Sequence, residues 1–336
     1  MEKWKENEPE DHASWLFRVC KNKAINHLRK NSTAIVQDTV MNEQAHADME
    51  HIFLEHEIKD SQLRLLFASC DESISPRSQI ILILKNLCGL KLDEISNALA
   101  MSEEAVMKSL TRSRHKLTSA ANLSVPSLDS SRTRLRIVHT AIYLLFSEGY
   151  AATEGDHVIR RELCIEAMRL IKSILEIDQL RDHDTYALMA LMCFHSARFE
   201  ARINREGVLV ELEKQDRSLW DKELIRLGIY YLKSAHDSNT TSRFVFEAAI
   251  ASVHCVAETF EETNWKVIVG LYDRLAEIQS TPFVDMNRAV AVCYADGANA
   301  ALDHLNKSVH QVWLKNYYLY YALLGKINSS LGDGLS

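Results

Sequence analysis

Apolar residues recur at spacings of three and four along most of this 336-residue chain, and strand-like alternation is scarce. That period predicts an all-α protein. The pattern is sharpest from Ser75 to Leu117. Ser75 is placed to cap a helix whose first position is Pro76, where a missing N–H costs nothing. Ile80, Ile81, Ile83, Leu84 and Leu87 give that helix a broad apolar face, and Gly89 ends it. A short helix over Leu92 to Ala100 follows, then a turn at Met101-Ser102. Ser102 caps a third helix with Val106, Leu110 and Leu117 on its inner face. Beyond Ser131, helices are predicted over 136–147, 161–177, 184–199, 218–235, 242–258, 264–279, 284–294 and 298–305. The exception is 202–212, where Arg-Ile-Asn-Arg-Glu-Gly-Val-Leu-Val-Glu-Leu suits a small hairpin or an extended loop around Gly207. Pro282 to Leu305 is the clearest repeat-like unit, with small residues Ala289, Ala291 and Ala295 and a turn at Asp296-Gly297.

Composition adds boundaries. With 47% hydrophobic residues the chain has material for two or more cores. No run reaches the length of a membrane span, and Met-Glu-Lys-Trp-Lys-Glu lacks the apolar segment of a signal peptide. A cytoplasmic location without membrane contact is expected. The seven cysteines are scattered without a Cys-x-x-Cys pair, which favours reduced, mostly buried thiols over disulfides or zinc. Four prolines at 9, 76, 126 and 282 fall at helix starts or linkers, and the stretch 121–131 around Pro126 marks the main domain boundary.

The net charge of −7 is unusual for a nucleic-acid binder until it is divided along the chain. Residues 33–60 carry Asp38, Glu43, Asp48, Glu50, Glu55, Glu57 and Asp60 against Lys59 alone. Basic character gathers in two helices instead. In the third helix of the Ser75–Leu117 unit, Glu103 and Glu104 sit at the N-terminus, where the macrodipole favours anions. Lys108, Arg112, Arg114 and Lys116 follow with no acid before Leu128. Such a helix suits a phosphate-lined groove, although dipole compensation on a solvated surface gives the same pattern. Between Trp15 and Ser32 there are five Lys or Arg and no acid, with Leu16, Cys20, Ala24 and Leu28 on one face and Arg18, Asn22, Asn26 and Arg29 on another.

Those two helices, in that order, carry a resemblance. Ser14 to Lys30 (Ser-Trp-Leu-Phe-Arg-Val-Cys-Lys-Asn-Lys-Ala-Ile-Asn-His-Leu-Arg-Lys) resembles the second half of the promoter-melting domain of extracytoplasmic-function sigma factors of bacterial RNA polymerase. The downstream helix-turn-helix resembles the domain by which that family contacts the −35 element. Arg136–Tyr150, Gln215-Asp216-Arg217-Ser218-Leu219-Trp220-Asp221 and Asn287-Arg288-Ala289-Val290-Ala291-Val292 look like the tetratricopeptide-like extension of one of its subgroups.

The resemblance implies transcription initiation at promoter DNA with core RNA polymerase as partner, and a possible protein partner for the helical domain. It implies −35 contacts from Lys108, Ser109, Thr111, Arg112, Arg114, His115 and Lys116, and −10 contacts from Arg18, Asn22, Lys23, Asn26 and Arg29. The implied organisation is 1–32 as part of the −10 domain, 33–60 an acidic linker, 61–120 the helix-turn-helix, 121–131 a linker and 132–336 the helical domain. Family members carry further helices ahead of the tryptophan-led one, whereas here only Glu2 to Ala13 precede it. A shortened gene product, a start site placed too late, or lost sigma activity are the expectations that follow. A DNA-binding regulator without polymerase recruitment, and a helical interaction scaffold, are the alternatives. Ser96 and Ala100 stand where many such motifs carry Ala and Gly; an Ala at a turn needing positive φ would be strained, so a different turn geometry is one expectation.

Little points to catalysis. His46, His51 and His56 are spaced by five, which turns successive imidazoles away from a shared helix face. There is no Gly-x-x-x-x-Gly-Lys phosphate loop and no dinucleotide fingerprint. No catalytic residue, metal or cofactor is expected, and the protein reads as a non-enzyme.

Overall fold

The computed structural model describes residues 62–63, 65–119, 132–153, 158–235 and 242–332. Contacts divide the chain into Met1–Ala68 and Ser69–Ser336. Of the first unit only a short helical stretch within residues 62–68 is described. In the second, the described residues are helical apart from turns and one antiparallel bridge, Ile203 with Leu209.

The second unit opens with three helices, α1 (Pro76–Asn86), α2 (Leu92–Ala98) and α3 (Glu103–Ser119). Ser75 Oγ accepts from the Ser78 N–H and Pro76 takes the first turn, as the sequence predicts. Past Asn86, Gly89 adopts φ 71°, a conformation that L side chains resist, and Leu90 N–H reaches back to Leu84 O at 3.0 Å. Ile81, Leu82, Ile83 and Leu84 are all buried, a full turn of α1 with no solvent face. The reason is tertiary: α1 packs on α3 and also on α4 (Arg132–Tyr150). Each such side chain contributes on the order of 1.5–3 kcal/mol by leaving water, so this helix is a principal seam of the unit.

After α4 come α5 (Arg161–Leu175), α6 (His183–Ser196), α7 (Phe199–Arg202), α8 (Lys222–Ala235), α9 (Arg243–Val256), α10 (Trp265–Ile278), α11 (Pro282–Asp296), α12 (Ala298–Lys307), α13 (Gln311–Leu314) and α14 (Tyr318–Gly332). The long helices pack on their neighbours in sequence: α4 on α5, α5 on α6, α6 on α8, α8 on α9, and so on to α12 on α14. Contacts also skip one, α4 to α6, α6 to α9 and α11 to α14. This is the contact pattern of stacked helical hairpins, in which each unit buries its face only against the next. From Arg243 to Pro282 and from Pro282 to Tyr318 the interval approaches the roughly 34 residues of a tetratricopeptide unit. Earlier intervals are longer because the 202–212 hairpin, turning at Gly207, and two 3₁₀ turns are inserted between α7 and α8.

The small residues of α11 explain how it sits inside the stack. Ala289 belongs to a cluster with Ala301, Leu305, Leu314 and Ile327 from α12, α13 and α14. Ala291, two residues on and across the helix, belongs to another with Phe246, Ile250, Ile268 and Leu275 from α9 and α10. One helix thus serves two cores. Of the six cysteines in the described residues, Cys70, Cys164, Cys193 and Cys255 are buried and none is in a disulfide. Burial pushes the Cys70, Cys164 and Cys193 thiols up to about 12, which suits packing rather than reactivity.

Candidate nucleic-acid interface

The third helix is two-sided. Val106, Ser109, Leu110 and Ser113 are buried at spacings of three and four. On the opposite side Met107, Lys108, Thr111, Arg112 and His115 are exposed at the same spacing. Ser102 Oγ accepts from the Ala105 N–H at 3.3 Å, capping the start, and Glu104 pairs with Lys108 at 2.6 Å across one turn. The side chain of Leu117 lies outside the described residues.

The sequence-predicted contacts separate on this geometry. Lys108, Thr111, Arg112 and His115 form one outward stripe. Among the described residues Arg112 Nε bonds back to its own helix, to Lys108 O at 3.2 Å, and the guanidinium has no other partner on the outward side. Ser109 faces inward instead, donating to Ser78 Oγ at 2.8 Å and tying α3 to α1. Arg114 and Lys116 are exposed but directed at the scaffold: Arg114 Nη2 donates to Asn86 Oδ1 at 2.9 Å and Lys116 Nζ to Ser73 O at 2.8 Å. Arg18, Asn22, Lys23, Asn26 and Arg29 lie outside the described residues, as do His46, His51, His56 and the 121–131 linker.

The turn between α2 and α3 keeps its left-handed residue. Ala100 has φ 48°, the one positive value outside glycine among the described residues. It is fixed by its neighbours: Ala100 N–H donates to Asn97 O at 3.1 Å, Met101 N–H to Ser96 O at 2.8 Å, and the Arg77 guanidinium to Leu99 O. A different turn geometry is therefore not what this sequence adopts; it accepts the strain of an alanine. Ser96 is buried with its hydroxyl donated to Asp93 O at 2.8 Å, so it fits as an alanine would.

Sequence reasoning missed what holds this unit against the helical array. Glu94, 3% exposed, accepts from the Lys91 N–H at 2.7 Å with one oxygen, closing the first turn of α2. Its other oxygen takes Arg160 Nη1 at 2.5 Å. Arg160 immediately precedes α5, and its own N–H bonds Gly149 O at 2.8 Å. Gly149 is required there, because a Cβ on it would stand 2.8 Å from both Arg160 O and Cys164 Sγ. Glu94 and Arg160 are 66 residues apart, and neither carries a local signal of the other. The array thus grips α1 and α2 and leaves the outward stripe of α3 exposed.

Comparison with known proteins adds kinship. Residues 134–236 match the family described as Family of unknown function (DUF6596). Over 329 residues the chain is 32% identical to uncharacterized protein R00370 of Rhizobium meliloti (strain 1021), an alignment covering 96% of this chain and 77% of that one. The chain belongs to that protein's family. No solved structure matches it. The kinship takes in the three-helix unit as well as the array, whereas the DUF6596 match runs from the start of α4 to the end of α8. Among the described residues no helix is long and apolar enough to cross a membrane, and no group of three His, Cys, Asp or Glu is placed to hold a metal ion.

Proposed function

We propose that this protein is a sigma-factor-like promoter-recognition protein in which α3 enters the major groove and the helical array is a fused regulatory or docking domain. The observation that carries the reading is the outward stripe Lys108, Thr111, Arg112 and His115 on a capped third helix, opposite a buried one, with the array packed on α1 and α2 rather than across the stripe. A groove-reading helix needs that freedom on its outer side and that rigidity behind it. Lys108 and Arg112 suit phosphate oxygens or guanine edges, and Thr111 and His115 add hydrogen-bonding groups on the same face. The resemblance of Ser14–Lys30 to the −10 helix supplies the second half of the reading, with core RNA polymerase as the partner.

The test is whether the purified full chain binds core RNA polymerase and yields a defined transcript from a promoter selected out of random DNA. A polymerase complex is expected with both the wild type and Arg112→Ala, and a transcript whose yield falls with Arg112→Ala. DNA binding without polymerase association would replace this reading with that of a regulator, and failure to bind either would leave the array as a scaffold.

A further inference from the structure

Arginines also converge far from α3, where α6 ends and the hairpin returns to α8. The Arg198 and Arg217 guanidiniums lie 5.5 and 4.6 Å from the centre of the Trp220 ring. Arg202 stacks 3.5 Å from the Tyr150 ring centre, which in turn lies 4.8 Å from that of His195. Among the described residues none of the three arginines makes an ion pair, although each is at least partly withdrawn from water. Glu261 acts on Arg217 only through its field, and cations gathered in a partly buried place without a paired carboxylate are unfavourable unless something else balances them.

Two of them have found backbone partners. Arg217 Nη1 donates to His254 O and Ala257 O at 2.6 and 2.8 Å, closing the C-terminal end of α9, and Arg202 Nη1 donates to Tyr150 O at 2.6 Å. Arg198 has not. Its Nε donates to Gln215 Oε1 at 3.2 Å, which orients the side chain, while its two terminal nitrogens meet no acceptor among the described residues.

Beside it Trp220 is 2% exposed and its indole nitrogen, an obligate donor, is buried without a partner among the described residues. The Nδ1 atoms of His195 and His254 are likewise buried and unpartnered. Burial, reinforced by the fields of Arg198 and its neighbours, pushes His195 down to about 3 and His254 to about 4, so the local field is positive even with both rings neutral. Unfilled donors, a guanidinium fork without an acceptor among the described residues and a net positive field share one ligand chemistry.

We propose that the terminal nitrogens of Arg198 and the indole N–H of Trp220, backed by Arg217, form a binding site for an oxyanion, a carboxylate or phosphate group. A planar fork matches two oxygens of either group at once, and the aromatic face beneath holds the fork in place. The three residues lie on the segments joining α6 to α8, within the region matched to DUF6596, so a bound anion would brace that junction.

Calorimetric titration of the full chain with inorganic phosphate and, separately, with acetate at matched ionic strength tests the site. Saturable binding of one anion per chain is expected for at least one probe, and which probe binds identifies the group. Arg198→Met should weaken it by roughly tenfold or more, and Trp220→Phe, which removes the N–H together with the five-membered ring but leaves an aromatic face beneath Arg198, by several-fold. Arg205→Met, on the exposed hairpin, should leave it unchanged. No binding of either anion, or equal affinity in wild type and Trp220→Phe, would overturn the site. If Arg198→Met fails to fold, the Trp220→Phe result decides.

Discussion

The outer face of α3 and the Arg198 cluster are both rich in arginine, yet they are opposite devices. On α3 the cations stand in water: Lys108 and its partner Glu104 are 67% and 76% exposed, and Arg114 and Lys116 rest on scaffold oxygens. Their charge reaches outward, is screened by salt, and suits a long polyanion met by diffusion. In the array the cations stand over aromatic rings beside buried, unpartnered nitrogens, where screening is weak and geometry decides the ligand. Counting basic residues treats the two alike. Burial and the identity of the nearest oxygen separate them.

The sharpest test of that contrast sets one glutamate against another. Glu94 is buried between the Lys91 N–H and Arg160, whereas Glu104 pairs with Lys108 in the open. Glu94→Ala leaves the partly buried Arg160 guanidinium with only the exposed Glu162, 3.3 Å from its Nε, and opens the first turn of α2, so a loss of about 2–3 kcal/mol is expected. Glu104→Ala should cost no more than about 0.5 kcal/mol. Urea denaturation of the two variants checks it, and similar losses would erase the distinction between interior and surface pairs.

Acid should act on the array before it acts on surface pairs. His195 and His254 are held neutral in the fold, about 3 and about 4 against an ordinary 6.5, by burial and by neighbouring arginines. Well above pH 6.5 neither state binds these protons and their contribution to stability is constant. Below it the unfolded chain takes up protons that the fold refuses, so stability falls as pH drops from 6.5 toward 4. With both sites contributing the slope reaches about 2–3 kcal/mol per pH unit. Urea midpoints measured from pH 7 to pH 5 should show this decline, and it should flatten in His195→Gln/His254→Gln.

The outward stripe offers the next contrast. Arg112→Ala should weaken binding to a selected promoter by about 1–3 kcal/mol and lower the salt slope by about 1. Ser109→Ala removes only the buried bond to Ser78, so it should alter stability while affinity per folded molecule stays the same. An affinity loss equal to that of Arg112→Ala would place the interface elsewhere on α3.

Much of the helical plan was legible because it is local. Ser75-Pro76, Gly89, Ser102 and the spacing of Val106 and Leu110 each act within a turn or two, and each sits where the sequence predicts. The helices expected over 136–147 and 284–294 in fact run over Arg132–Tyr150 and Pro282–Asp296, and Gln311–Leu314 and Tyr318–Gly332 are not foreseen by the pattern. In the last of these Tyr318 and Tyr321 are exposed while Tyr320 and Ile327 are buried, so its apolar residues do not mark one face. What joins distant segments was not legible at all. Ser109 reads as a surface serine until Ser78 is placed against it, and Glu94 reads as a first-turn acid until Arg160 arrives. The Arg198 site has the same character, since Arg198 just past α6 and Arg217 and Trp220 at a 3₁₀ turn before α8 meet only once the intervening hairpin has folded back.

The smallest effect expected runs in the stabilising direction. Ala100 holds φ 48° because Ser96 O, Asn97 O and the Arg77 guanidinium on Leu99 fix the chain on both sides of it. For an L residue the left-handed region costs roughly 1–2 kcal/mol, while a glycine there loses roughly 0.5–1 kcal/mol in chain entropy on folding. The balance favours Ala100→Gly by up to about 1 kcal/mol, and Ala100 is exposed, so no packing is lost. The gain should appear as a higher urea midpoint, with promoter affinity unchanged because the pose of α3 is already set by the hydrogen bonds around the turn. A fall in stability would mean that Ala100 relaxes to negative φ in solution, and the presentation of the α3 stripe would then differ from the one described for Lys108 and Arg112.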